Sequence, residues 1–149
     1  MEPGKYPKVG VGGVILQDSN VLLLLRKRPP ETGFWSLPGG RVEFMERVED
    51  ALVRELKEEL GVDVEIDSLI CVTDHIIQAD NAHWVSPAYL VRSISGVPQN
   101  LEPDKTAAIE WFPLSHLPDN LGLAAKAALT AYLDRSGDGR AAAHKFDHH

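Results

Sequence analysis

Gly40-Arg41-Val42-Glu43-Phe44-Met45-Glu46, followed by Arg47-Val48-Glu49-Asp50-Ala51-Leu52-Val53-Arg54-Glu55-Leu56-Lys57-Glu58-Glu59-Leu60-Gly61-Val62, is the stretch on which the reading of this chain turns. From Glu46 to Leu60 the apolar residues Val48, Ala51, Leu52, Leu56 and Leu60 recur largely at spacings of three and four, and Gly61 closes the run. That spacing predicts an amphipathic helix with a glycine C-cap. Glu55, Glu58 and Glu59 stand at i, i+3 and i+4, so their carboxylates project from one face within a turn, while Leu52, Leu56 and Leu60 occupy another stripe. One side packs on a sheet and the other presents three like charges, which repel by a few tenths of a kcal/mol per exposed pair. A bound divalent cation reverses that sign. Oxygen-only donors select hard ions, and Mg²⁺ uses a few carboxylates, several waters and substrate phosphate oxygens. The plain alternative is a solvated charged face, with Arg54 pairing to Glu58 at i, i+4.

Outward from this stretch, composition narrows the class. The 149 residues are 44% hydrophobic and 25% charged, with 15 basic against 22 acidic side chains for a net charge of −7. These values describe one domain large enough to hold a core without a disulfide or structural metal. The lone Cys71 excludes a disulfide scaffold. Acidity argues against nucleic acid or an anionic membrane as partner. No run approaches the ~20 apolar residues of a membrane span. Met1 to Lys8 lack the apolar core of an export signal, so the expected compartment is the cytoplasm. Seven acids lie between Glu43 and Glu59 against three bases, Arg47, Arg54 and Lys57.

The flanks read as strands. Val9 to Gln17 and Val21 to Lys27, joined by Asp18-Ser19-Asn20, predict a hairpin. Pro29 to Gly33 is a loop and Phe34 to Leu37 a short extended segment ended by Pro38-Gly39-Gly40. Val62 to Thr73 and His83 to Val91 predict strands around a polar turn at Gln78 to Ala82, with a further strand at Ala107 to Phe112 and an alanine-rich helix at Leu121 to Leu133. Residues 1–135 are expected to form one α/β domain. Residues 136–149, including the cluster His144, His148 and His149, are expected to be a disordered tail rather than a closed metal site.

Gly40, five residues, Glu46, seven residues, then Arg54-Glu55-Leu56-Lys57-Glu58-Glu59-Leu60-Gly61-Val62 match every fixed position of the signature of the Nudix hydrolases, which this chain resembles. At ordinary residue frequencies a chance match is on the order of one in 10¹⁰ per starting point. The likeness continues through Val9 to Arg28, Trp35 to Gly40, and Trp111 to Pro118, covering about residues 6 to 134. It implies an α/β/α sandwich around a mixed sheet, with the signature as loop, helix, loop. One departure is Met45, where many members have glycine.

By resemblance, Glu58 and Glu59 are the principal ligands of Mg²⁺, with Mn²⁺ as a substitute, and Glu55 is a further ligand or the base that takes the water's proton. Arg54 orients a glutamate through its fork of donors, Glu46 and Gly61 support the box, and Gly39 and Gly40 let backbone approach metal or phosphates. Glu102 is the first candidate for an acid ligand from outside the box, and Glu110 the second. Arg26 and Arg28 point to one strand face and are candidates for the phosphates, with Lys27 on the other face. His83 and Asn120 are candidates to contact substrate, and Trp35, Phe34 or Trp84 to stack on a base; each also has an ordinary structural reading, for Asn120 the N-cap of the last helix.

The implied reaction is hydrolysis of a nucleoside diphosphate linked to another group. Markers of the ADP-ribose, dinucleoside polyphosphate and NADH branches are missing from Ile76-Ile77-Gln78-Ala79. The remaining resemblance is to the compact MutT-like branch, nearest the CTP/dNTP pyrophosphohydrolases and their oxidised-nucleotide relatives, which converts nucleoside or deoxynucleoside triphosphates to monophosphate and pyrophosphate. An ADP-ribose or nucleotide-sugar pyrophosphatase is the alternative. A non-catalytic nucleotide sensor is the second, although the box it would typically have lost is intact. The resemblance also implies a homodimer.

Overall fold

A computed structural model describes residues 6–140 of the chain. In order the elements are β1 (Lys8–Val14), β2 (Leu16–Gln17), β3 (Asn20–Arg26), β4 (Trp35–Ser36), β5 (Gly39–Arg41), α1 (Val48–Leu60), β6 (Asp63–Ile77), a 3-10 turn (Gln78–Asp80), β7 (Ala82–Ser95), β8 (Thr106–Pro113) and α2 (Leu123–Arg140). One sheet runs β5-β1-β7-β6 and is mixed, because β1 and β7 are parallel while its other pairs are antiparallel. In the second sheet β3 pairs antiparallel with β2, β4 and β8.

The apolar run of β3 explains the layering. Leu22 and Leu24 join a core with Leu52, Leu56 and Leu60 of α1, whereas Val21 and Leu23 join a second core with Ala128 and Leu129 of α2. A strand covered on both faces needs apolar residues at every position, not at alternate ones. The result is the expected α/β layering, with mixed sheet between two helices. Helix α1 ends as its sequence requires, with Gly61 in the left-handed region at φ 74° and its N–H on the Lys57 carbonyl.

Several expected boundaries move. The predicted hairpin shrinks to Leu16–Gln17 against β3, turned by Asp18 and Ser19 at positive φ, because β1 leaves to pair with β5 and β7 in the other sheet. Gly39 and Gly40, read as the stop of the short extended segment Phe34 to Leu37, pair in β5 with Val11 and Gly12. Helix α2 starts at Leu123 and runs on to Arg140, past its expected end at Leu133 and over the first five residues of the expected tail. The remainder of that expected tail, residues 141–149, lies outside the described residues.

Met45 adopts φ +69° with an 89% exposed side chain, in a turn closed by the Glu46 N–H on the Glu43 carbonyl. That conformation strains a side chain and suits glycine. Met45→Gly is therefore expected to raise stability by about 0.5–1 kcal/mol, or ~2–3 °C in Tm. A thermal melt showing no gain would contradict the strain.

Candidate active site

A cavity of about 390 Å³ opens between the two sheets at the hydrophilic face of α1. Burial of Leu52, Leu56 and Leu60 fixes the helix rotation and turns Glu55 and Glu59, one turn apart, to this cavity. Beside them passes the Gly39-Gly40 part of β5, which has no side chains. A Cβ at Gly39 (φ +153°) would collide with the Val11 carbonyl oxygen, and one at Gly40 with the Glu55 carboxyl. The two glycines thus form a cradle in which the Gly39 N–H donates to Glu59 Oε1 at 2.9 Å.

Glu102 reaches the same cavity from the loop before β8. The Leu101 N–H donates to the Glu59 carbonyl (3.1 Å) and the Gln99 N–H to the Leu60 carbonyl (3.0 Å), so the loop satisfies carbonyls left open at the end of α1. Asn100 shapes the turn, accepting from the Glu102 N–H at 3.2 Å and donating to the Thr106 carbonyl at 2.9 Å.

Arg54 organises the acids behind the cavity. Its guanidinium donates to Glu46 at 2.7 and 2.9 Å, to Glu55 at 3.2 Å, to Glu58 at 3.3 Å and to the Arg41 carbonyl at 2.9 Å. These bonds hold the Glu46 carboxyl down at about 2 and raise the Arg54 pKa further. Burial works the other way on the cavity acids. It pushes Glu55 up against the pull of Arg54, and pushes Glu59 up to about 8 despite the Gly39 N–H, with Glu102 and Glu55 adding like charge.

No ion pair reaches Glu59 among the described residues, and this desolvated carboxyl beside the Gly39-Gly40 pair suits a cation. Among the described residues no three His, Cys, Asp or Glu side chains converge closely enough to hold an ion unaided. Such an open donor set fits Mg²⁺, which keeps waters and takes up substrate phosphate oxygens.

The predicted site residues divide. Glu55, Glu59, Glu102, Gly39, Gly40, Arg26, Arg28 and Trp84 line the cavity. Glu58 does not; it stands half exposed at the rim on Arg54. Glu110 is exposed on β8 opposite Leu23, away from the cavity. His83 is exposed and outside the lining, because strand alternation gives the cavity to its neighbour Trp84. Asn120 is also outside it and is not a helix cap: its side chain donates to the Gly33 carbonyl at 2.9 Å, while Glu31 accepts from the Leu123 N–H at the start of α2. Trp35 packs edge-on against Phe112, with ring centroids 4.7 Å apart, and Phe34 lies outside the lining. Arg26 faces the cavity but spends its donors on the carbonyls of Arg28, Pro29 and Pro30. Arg28 pairs with Asp104 at 3.1 Å. Sequence reading missed Glu31 and His75, both in the lining, because no local pattern shows that a loop and a hairpin meet.

A family model described as the NUDIX domain matches residues 6–133. The chain is 38% identical over 113 residues to an ADP-ribose pyrophosphatase of Methanocaldococcus jannaschii, covering 76% of this chain and 66% of that protein. It is 35% identical over 138 residues to a Mycobacterium tuberculosis protein provisionally named 8-oxo-dGTP diphosphatase 2, covering 91% of this chain and 94% of that one. The fold superposes on a MutT NUDIX hydrolase from Burkholderia pseudomallei with TM-score 0.81 and 47% identity, over 85% of this chain and 98% of that one. The chain thus spans just under two thirds of the archaeal relative and nearly the whole of the other two.

Proposed function

The chain belongs to the NUDIX family and is a Nudix hydrolase, and from that premise we propose that it hydrolyses nucleoside or deoxynucleoside triphosphates to monophosphate and pyrophosphate. The observation that carries the reading is the lining of a single cavity. It joins the acids Glu55, Glu59 and Glu102 to the bases Arg26, Arg28 and Lys105, and adds Trp84 with Leu37 and Pro87. Charged groups together with aromatic and apolar ones in one cavity suit a polyphosphate carrying one base.

A Mg²⁺ ion, or Mn²⁺ in its place, would be held by Glu59, Glu55 and Glu102 with the backbone at Gly40 and Glu58 from the rim, and would neutralise the phosphates and lower the pKa of a bound water. Glu55, raised by burial, suits acceptance of that water's proton. Arg54 keeps Glu55 aimed, and Arg28 adds positive charge for the phosphates. Among the described residues no helix is long and apolar enough to cross a membrane. The same reading carries a cytoplasmic homodimer without nucleic-acid partners, and light scattering tests the dimer.

The name of the archaeal relative supports a second reading, ADP-ribose pyrophosphatase. Phosphorus-31 spectra of reactions with Mg²⁺ and a panel of NTPs, dNTPs, 8-oxo-dGTP and ADP-ribose separate the two. Pyrophosphate release is expected from the triphosphates. Two monophosphates from ADP-ribose alone would replace the first reading with the second, and turnover of none would end both.

A further inference from the structure

Glu31, His75 and Trp84 form a part of the cavity wall that the acidic helix does not explain. Glu31 lies in the loop between β3 and β4 at φ +61°, a conformation that costs a glutamate free energy and persists only where surroundings hold it. Those surroundings are specific. Its N–H donates to Asp80 Oδ2 (3.0 Å), its Oε2 accepts from the Leu123 N–H (3.0 Å), and its Oε1 lies 3.0 Å from His75 Nε2. Beneath it Arg26 holds the carbonyls of Pro29 and Pro30. The side chains of Glu31 and His75 are only 12% and 13% exposed.

A carboxylate can only accept, so the proton in the Glu31–His75 bond sits on Nε2. A neutral imidazole that donates through Nε2 carries an unprotonated acceptor at Nδ1. His75 pairs directly with Trp84 across β6 and β7, which puts both side chains on the cavity face as neighbours. Trp84 lies against Gly10, where a Cβ would already be 3.3 Å from the indole. Lys8 Nζ lies over the indole, 5.5 Å from its centroid, and a base resting on the ring face that Lys8 leaves open would bring its edge beside His75.

Resting on the triphosphate reading, we propose that Glu31 locks His75 in the tautomer that offers Nδ1 as an acceptor to the base. The enzyme then selects nucleotides whose base carries an exocyclic amino group over their keto counterparts. His75 is the specificity-determining residue and Glu31 its positioning residue.

The test compares kcat/KM for CTP against UTP and for ATP against ITP, pairs that exchange an exocyclic amino donor for a keto acceptor and turn the neighbouring ring nitrogen from acceptor to N–H donor. About tenfold preference for the amino member is expected in at least one pair, the size of one net hydrogen bond, and His75→Ala should erase it through KM of the amino member. Glu31→Gln is the sharper variant. Its amide oxygen can keep the Leu123 N–H while its NH₂ donates to Nε2, which moves the imidazole proton to Nδ1 and inverts the preference. A merely structural role for Glu31 would not invert it. Nitrogen-15 spectra of the His75 ring read the tautomer directly, independent of turnover, and must show Nε2–H in the parent protein and Nδ1–H in Glu31→Gln. No preference in either pair, a preference untouched by both variants, or Nδ1–H in the parent protein overturns the proposal. If no triphosphate is hydrolysed, the functional reading fails by itself. Calorimetric binding of CMP against UMP and AMP against IMP, with the ring spectra, then decides the tautomer lock separately.

Discussion

Glu59→Gln is expected to lower turnover on the order of 10³-fold at saturating Mg²⁺ while leaving the protein folded. Its effect on stability separates a metal ligand from a structural acid. In the metal-free protein the folded Glu59 carboxyl titrates at about 8 against an ordinary value of 4.5. Between those values the folded state keeps a proton that the unfolded state has lost. The stability tied to that proton is therefore complete below pH 4.5 and is lost as pH rises through about 8. Glutamine has no such proton. The Tm of the parent protein should fall relative to that of Glu59→Gln by at least ~3 °C between pH 6 and pH 8.5, measured in EDTA. Added Mg²⁺, which binds the ionised form, should raise the parent Tm more at pH 8.5 than at pH 6 and barely move the variant. Full activity in Glu59→Gln would remove this residue from the site.

Arg54→Ala should damage both fold and activity. The Arg54 side chain is 26% exposed and its partners Glu46 and Glu55 are 18% and 17% exposed, so its removal takes the arginine fork from two part-buried carboxylates and the Arg41 carbonyl and leaves Glu46 with the Glu43 N–H. Removing one side of such a network costs more than the network contributes, and a lower Tm is expected. The half-exposed contact to Glu58 adds little. Activity should fall on the order of 10²-fold as Glu55 loses its orientation. Arg54→Lys restores the charge but not the fork that spans Glu46, Glu55 and Glu58, and it should recover less than half of the lost Tm. Complete recovery would show that charge alone, not geometry, is what Arg54 supplies.

These residues also mark where sequence reasoning succeeds. Helix α1, its Gly61 cap and the co-facial glutamates follow from spacing along one segment, since the period of 3.6 residues and the burial of Leu52, Leu56 and Leu60 decide its rotation. The mixed α/β class followed from the family signature and the alternation of segment types. Glu102 was placed by resemblance, but its approach to Glu59 depends on two backbone bonds to the end of α1.

Strands were less legible. A one-residue error in phase exchanges the two faces, which is why Trp84 and not His83 lines the cavity. The sheet to which β1 belongs depends on partners far away in sequence, so its pairing with β5 and β7 was hidden in a stretch that looked like half of a local hairpin.

The acidic helix was legible in local periodicity and the family in residues at fixed spacing, and the layered α/β class was what that resemblance implied. Only the tertiary structure decided which carboxylates meet. It sent Glu58 to the rim, brought Glu102 to the cavity and joined Glu31 to His75 across 44 positions. Such contacts are set by strand register and loop closure, energies of the whole packed chain that no single segment carries.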